Sequence, residues 1–440
     1  MTQDFRTAPI DEQARAILAE RGYEFRVVDP DDRDAMERYV LAEARGFLGG
    51  TMQQPALDAH IAEFAQNRRN SAVYDPSGAD PLTPIATTNS WIGPLTLPGQ
   101  RDIDAWAISG VTVAQTHRRR GIQRQMMEAE LRTARGLDVP VAMLTVTESS
   151  IYARYGFGVA ALAAEYRIST RGLTWTGREP EGRLDFIPVR QWRDAAPALF
   201  ERTRLRDPGQ VRPFAMRWDQ AAGYITYEGD KSAGRQAVQY RDASGGVRGM
   251  ALYTINEGTS EQDFTTHEAQ IVNLIAETDD AYAALWRFFV EMDLVSTTRY
   301  DLGSADEPVR WMVSNFRAVE VRPFDMQYLR VLDVKRVLEA RAYEVPGEVS
   351  FEVTDDLGFA SGTWTARAST AGTVIAAAGE VADSGDLELG VVELGAMLCG
   401  GTSARTLAAA GRVVERGPGA LDRATAMLAS TRPPRIDSWY

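Results

Sequence analysis

Cysteine is almost absent from this chain. Cys399 stands alone among 440 residues, which excludes an internal disulfide, a CxxC pair and a cysteine-based structural zinc site. Histidine is nearly as scarce, and His60, His117 and His267 are spaced too widely for an HExxH metal helix. No metal site is expected. Lysine is rarer still: Lys231 and Lys335 are the only two among 48 basic residues, so the cations are almost all arginine. Long hydrophobic runs are missing too. The most apolar stretches, 283–290 and 374–378, are far too short to span a bilayer. The first residues show no basic segment leading into an apolar core, so no signal peptide is expected, and the expected location is cytoplasmic.

What is present is acidic and globular. Hydrophobic residues make up 44% and the formal net charge is −13. A chain of that charge lacks the positive field that general nucleic-acid or anionic-membrane binding needs. Arginine can still grip phosphate locally, because its guanidinium presents a bidentate fork.

Strand-like runs at 71–74, 84–91, 104–113 and 140–146 alternate with helical patterns at 32–48 and 121–135, the grammar of an α/β unit. A short helix is expected over 148–154. The middle of the chain repeats that grammar more loosely, with a helix at 192–205, a hairpin across 243–246, and strand, helix, strand over 267–276, 280–291 and 296–300. It has no glycine-rich loop between strand and helix. After residue 330 come a helix at 333–342, strands at 347–354, 361–368 and 372–378, then strand–helix or helical stretches at 387–399, 404–410 and 420–428. Pro433 and Pro434 end that last helix and leave an extended tail.

Chemistry concentrates between Gly110 and Gly158. A β-branched strand, Val111-Thr112-Val113, runs into Arg118-Arg119-Arg120-Gly121 and then a helix whose Ile122, Met126, Met127, Leu131 and Ala134 share one face. A helix start offers unpaired N–H groups and partial positive charge, and a glycine lets backbone approach a ligand closely. A solvated basic turn is the plain alternative; the flanking strand and helix favour a phosphate seat. Downstream, Tyr152, Tyr155 and Phe157 come close together, with Gly156 and Gly158 permitting a sharp return. They form either a core cluster or a site where a phenol donates a proton.

The stretches VTVAQTHRRRGIQR and SSIYARYGFG together resemble the enhanced intracellular survival (Eis) family of GNAT-superfamily N-acetyltransferases. The GNAT pyrophosphate loop follows R/Q-x-x-G-x-G/A. Residues 118–123 fit it except at Gln123, a departure that family tolerates. The resemblance implies a mixed α/β (α+β) chain of two tandem GNAT folds, the second degenerate, followed by a C-terminal sterol-carrier-protein-like domain. The implied boundaries are 1–175, 176–325 and 326–440, the last including a tail that reaches the active site.

The resemblance further implies acetyl-CoA as cosubstrate. Backbone groups of Val111 and Val113 would hold the pantetheine arm, and Arg118, Arg119, Gly121 and Ile122 the pyrophosphate. Tyr152 matches the family's general acid, and the family's second catalytic group, the C-terminal carboxylate, would be that of Tyr440. A terminal carboxylate has a reference pKa of ~3.5 against ~10 for an alkylammonium, so it is a weak base and would assist deprotonation by orienting the amine or relaying its proton through water. The implied substrates are aminoglycosides or similar polyamines. Acidic candidates to receive them are Asp34, with Glu37 and Glu43 along the same predicted helix, and Asp437 on the tail; each is otherwise a solvated carboxylate. Trp439 stands where some members carry an acid. The implied assembly is a homohexamer of two trimers. A protein-lysine or small-amine acetyltransferase, or a noncatalytic acyl-CoA or lipid binder, are the competing readings.

Overall fold

The computed structural model describes residues 4–50, 52–226, 234–258, 263–369, 374–378 and 385–440. The elements of the N-terminal part are α1 (Glu12–Glu20), β1 (Glu24–Val27), α2 (Arg33–Gly46), α3 (Gln54–Asn67), β2 (Arg69–Tyr74), β3 (Ala86–Leu97), β4 (Arg101–Val113), α4 (Ile122–Gly136), β5 (Val141–Thr145) and β6 (Gly158–Ser169). There follow β7 (Arg183–Ile187), α5 (Val189–Arg204), α6 (Ala215–Ala222), β8 (Gln236–Arg241), β9 (Val247–Asn256), β10 (His267–Ala276), α7 (Asp279–Val290), β11 (Val295–Gly303) and β12 (Val319–Val331). The last part carries α8 (Val334–Ala340), β13 (Gly347–Thr354), β14 (Gly362–Ala368), β15 (Val374–Ala378), β16 (Leu387–Gly390), α9 (Val391–Met397), α10 (Ala404–Ala409), β17 (Val413–Glu415) and α11 (Ala420–Leu428). The first two residues of the strand expected over 372–378 lie outside the described residues.

By contacts the chain forms two compact units. One comprises residues 1–160, 327–431 and Tyr440; the other comprises 161–326 and 432–439. In the first unit the strands run in the order β1-β2-β3-β4-β5, and the end of β12 closes the row by pairing Gln327 with Thr145 through Val331 with Val141. The pair β4–β5 is parallel, and α4 makes the crossover between them. Burial at 122, 126, 127, 131 and 134 confirms the face predicted for α4. Trp106, Ile108, Leu144 and Tyr328 from the sheet meet Met127 and Leu131 on this side. Helices α2 and α3 cover the other side through Met36, Tyr39, Leu57, Ile61 and Phe64.

The first unit also contains a second sheet, ordered β15-β14-β13-β16-β17. Its attachment is tight enough to demand glycine. A Cβ on Gly158 would run into the carbonyl oxygen of Val392 in α9, and one on Gly395 would lie 2.5 Å from the carbonyl oxygen of Leu329. Arg330 adds the polar link. Its side chain is buried; it donates to the Tyr155 carbonyl at 2.7 Å, to the Val331 carbonyl at 2.6 Å and to Asp355 at 2.6 Å.

The second unit repeats the arrangement as β7-β8-β9-β10-β11-β6, with β10–β11 parallel and α7 between them. Trp286 and Phe289 of α7 fill its core. The tail residues 432–439 belong to this unit. Half-buried Arg435 lies 3.6 Å from Glu307 and 3.7 Å from Asp437, and Trp439 stacks on Phe324.

The expected helix over 148–154 is instead two short 3-10 turns, Ser149–Ile151 and Ala153–Tyr155, with Tyr152 at their junction. Gly156 follows at φ 86 and stops the coil before an α-helix can form. Replacing Arg330 with Leu leaves Asp355 buried without its charge partner. The expected loss is about 3–5 kcal/mol, read as a lowered denaturant midpoint with an unchanged slope.

Candidate active site

The geometry begins with a pair of strands that part. β4 and β5 are paired from Ala105/Val141 to Ala107/Met143, and the ladder ends there. β4 continues to Val113 against β3, and β5 continues to Thr145 against β12. Beyond residues 107 and 143 the facing edges of both strands therefore carry backbone groups not used in a β4–β5 ladder. Such edges can hydrogen-bond an extended ligand arm. Val111 and Val113, both half-buried, lie on the β4 side of this gap.

The gap ends at the arginine turn. Arg119 (φ 63) and Gly121 (φ 75) both have left-handed backbone, and Gly121 caps α4. No side chain closes the first turn of that helix, so its N–H groups stay open toward an anion. Arg118 and Arg119 are exposed. Arg120 is exposed too but engaged, donating to the Tyr23 hydroxyl at 2.7 Å, while Arg21 donates to the Arg120 carbonyl at 2.7 Å. The three arginines thus divide: Arg118 and Arg119 are available, and Arg120 braces the turn. Ile122 buries its side chain in the core with Met126, leaving only backbone for a ligand. An extended arm with a diphosphate end fits this combination.

Tyr152 sits on the α4 side. Its ring packs against Phe157 at 6.2 Å and Tyr328 at 6.4 Å between centroids. Burial pushes its hydroxyl up to about 12, with Tyr155 and Glu148 adding to the shift, so the phenol holds its proton throughout the neutral range. The Tyr155 carbonyl, pinned by Arg330, fixes the turn that presents it.

Tyr440 lies on the opposite side. Gln327 and Tyr328 are neighbours on β12, so their side chains point to opposite faces. Tyr328 meets Tyr152, whereas the Gln327 amide donates to the Tyr440 hydroxyl at 3.3 Å. The Thr145 hydroxyl donates to the Tyr440 main-chain oxygen at 2.8 Å, and the Tyr440 ring sits edge-on to Trp91 at 5.6 Å. Tyr152 and Tyr440 therefore flank the strand ends from two faces.

Of the acidic candidates, Asp34 and Asp437 are not gathered here, whereas Glu43 lies against Gly110 of β4. Asp34 is exposed in the first turn of α2. Asp437 is buried in the second unit beside Arg435; burial raises its carboxyl and Arg435 opposes the shift. The face around Tyr440 is lined instead by Arg68, Asn89, Trp91, Thr145 and Gln327, none of which stood out in the sequence. They are ordinary strand residues, and only the fold brings them together. Among the described residues no group of histidine, cysteine and acid side chains is placed to hold a metal ion, and no helix is long and apolar enough to cross a membrane.

Comparison with known proteins agrees with this layout. Residues 84–160 and 201–331 each match an acetyltransferase (GNAT) domain family, and residues 334–436 match the sterol carrier protein domain. An uncharacterized N-acetyltransferase of Streptomyces avermitilis is 34% identical over 80% of this chain and 84% of its own length. N-acetyltransferase Eis of Mycobacterium tuberculosis is 30% identical over 77% of this chain and 81% of its own. The crystal structure of Eis1 from Mycobacterium abscessus shares the fold, with a TM-score of 0.79 and 23% identity over 95% of this chain and all of that one. Two GNAT domains, a sterol-carrier-like domain and relatives of this similarity place the chain in the Eis-like family of GNAT N-acetyltransferases.

Proposed function

We infer that the protein transfers the acetyl group of acetyl-CoA to primary amines of aminoglycosides or similar polyamines. The observation that carries this reading is the gap between β4 and β5, with a proton-holding phenol on one face and a carboxyl-bearing residue on the other. Acetyl-CoA supplies an acyl thioester, and everything else is the work of this chain. Val111 and Val113 hold the pantetheine arm through their backbone. Arg118, Arg119 and the N–H groups of Gly121 and Ile122 receive the pyrophosphate.

Tyr152 donates its proton to the departing sulfur. A phenol near 12 is a weaker acid than an ordinary thiol near ~8.5. It therefore acts as the carbon–sulfur bond lengthens and not ahead of it, through a hydrogen bond that strengthens as charge reaches the sulfur. The Tyr440 carboxylate, held by Thr145, orients the amine. The excess of acid over base suits polycations, which the whole chain attracts from solution. Assembly into a hexamer of two trimers belongs to the same reading. Exposed Phe186, Phe264 and Trp311 in the second unit are apolar surface that another copy would cover.

Thiol release from acetyl-CoA in the presence of aminoglycosides and simple diamines tests the reading; no release above background with any amine overturns it. Tyr152→Phe is expected to lower kcat by about 100-fold while leaving the acetyl-CoA dissociation constant unchanged. Arg118→Ala is expected to weaken acetyl-CoA binding about tenfold, the worth of one charge-assisted phosphate contact, as measured by calorimetry. Residues appended after Tyr440 are expected to depress kcat without lowering the melting temperature; intact kinetics would remove the carboxylate from the mechanism.

A further inference from the structure

The face of the sheet that carries Tyr440 holds a second carboxylate whose setting differs from that of the buried acid Glu130. Glu43 opens the last turn of α2, three residues before Gly46. The backbone of that helix lies against the Thr112 side chain of β4, which a Cβ on Gly46 would meet. Two residues earlier on the strand lies Gly110, at φ 61. Pairing between β3 and β4 slips here, from Thr87–Thr112 to Asn89–Ser109, so Gly110 and Val111 form a bulge. A Cβ on Gly110 would collide with the Asn89 amide and stand 2.8 Å from Glu43 Oε1. The carboxyl of Glu43 is thus seated directly over the bulge that leads into Val111, at the edge of the β4–β5 gap.

Its partners are few. Asn89 donates to Oε2 at 3.4 Å, and Asn89 Oδ1 in turn accepts from Arg68 at 2.8 Å. Among the described residues nothing donates a hydrogen bond to Oε1, and Glu43 forms no ion pair. Glu130 on α4, buried beneath the same sheet, shows what a structural carboxylate looks like here. It accepts from Arg69 at 2.7 Å, from the Trp106 indole at 3.0 Å and from Ser71 at 3.2 Å. A desolvated carboxylate with a single long hydrogen bond is costly to keep. Glu43 as a residue is nonetheless half-buried rather than sealed in the core. Arg68 continues the row by covering the ring of Trp91 at 4.8 Å, and Trp91 is the residue against which Tyr440 packs.

We propose that Glu43 is the proton acceptor for the attacking amine, with Asn89 as its positioning residue. This rests on the reading that the acetyl thioester occupies the β4–β5 gap beside Val111. The ammonium of the substrate gives one proton to Glu43 Oε1 and becomes a neutral amine. Its nitrogen lone pair forms the bond to the acetyl carbon as the carbon–sulfur bond breaks. The sulfur takes the Tyr152 proton, and the phenolate regains one, through solvent, from the nitrogen that is losing its second. Glu43 then releases its proton to water. The products are one amide, one thiol and one proton.

Desolvation raises the Glu43 carboxyl to about 7, with Arg68 and the Asn89 hydrogen bond opposing the shift. The groups facing it are Arg68 from the end of α3, Asn89 of β3 and, on its own helix, Tyr39; β4 contributes only the backbone of Gly110. An acceptor near 7 takes a proton from an ammonium far more readily than a carboxylate in its ordinary range. Activity should therefore climb as pH rises through about 7.

The test compares Glu43→Gln and Glu43→Asp with wild type, using putrescine and an aminoglycoside as amines. Glu43→Gln is expected to lower kcat/KM for the amine about 100-fold, to leave acetyl-CoA binding unchanged, and to lose the ascending limb of the pH profile. Glu43→Asp keeps the charge and shortens the reach, so the limb should remain while the rate falls. Formate added to Glu43→Ala should restore part of the rate. Wild-type kcat/KM with the limb intact in Glu43→Gln overturns the proposal, as does an effect confined to the amine KM. If the Gln variant fails to fold, the Asp variant decides, since a wild-type rate there overturns the role. A wild-type enzyme that binds acetyl-CoA but acetylates no amine removes the acetyl-transfer reading, and Glu43 falls with it. An active wild type with unaffected Glu43 variants removes Glu43 alone.

Discussion

A guanidinium shut away from water must find its partners within the fold, and Arg330 finds them in separate parts of the first unit. One bond goes to the Tyr155 carbonyl in the turn that presents Tyr152, one to the neighbouring residue of its own strand, and one to Asp355 in the sterol-carrier-like domain. The charge pair is expensive to bury and carries little net stability. Its effect is geometric. The turn after β5 cannot shift without stranding a buried charge, so the phenol keeps one position relative to the strand ends. Gly158 and Gly395 complete the constraint by bringing α9 onto the strands at backbone distance.

The two GNAT units share a plan and differ where chemistry would occur. Each has six strands with one parallel pair and a helix between them. In the first, the crossover helix follows a turn with exposed arginines and left-handed glycine. In the second, α7 is capped by Thr278 and opens with Asp279 and Asp280. Two carboxylates at a helix start suit the macrodipole but repel a phosphate. The second unit shares the scaffold, but the start of its crossover helix is acidic where that of the first is basic.

How much of this could be read beforehand follows from what kind of signal each part leaves. The helix from 122 announces itself by apolar spacing, and the arginine turn by charge and glycine in a strand–helix context. Strands β2 to β5 are legible as strand-like runs, with β-branched residues marking the end of β4. Helix α3 and strands β1, β6 and β12 were not: α3 has a broad apolar face without a clean period, and the strands are recognisable only once their neighbours are known. The side chains around Tyr440 were invisible for another reason. Arg68, Asn89 and Gln327 are polar residues on or beside strands, and polarity there normally indicates a solvated face; only tertiary packing turns them inward. Glu43 was visible as a candidate among three acids on one helix. What separates it from Asp34 is the bulge at Gly110, a register fault that no spacing rule predicts.

The way the first unit is threaded has a consequence for how it comes into being. Its N-terminal strands end at Thr145, and their last partner, beginning at Gln327, is made only after the whole strand set of the second unit has left the ribosome. The second unit can pair its own strands early, because β6 to β11 are contiguous in synthesis. The first unit must wait with one edge of β5 open. An open strand edge is a site for mispairing between nascent chains, and long-range pairing closes slowly. Expression yield should therefore depend on how fast residues 327–331 arrive, so slowed translation ahead of β12 would prolong the exposed state and favour aggregation before any stability difference is felt.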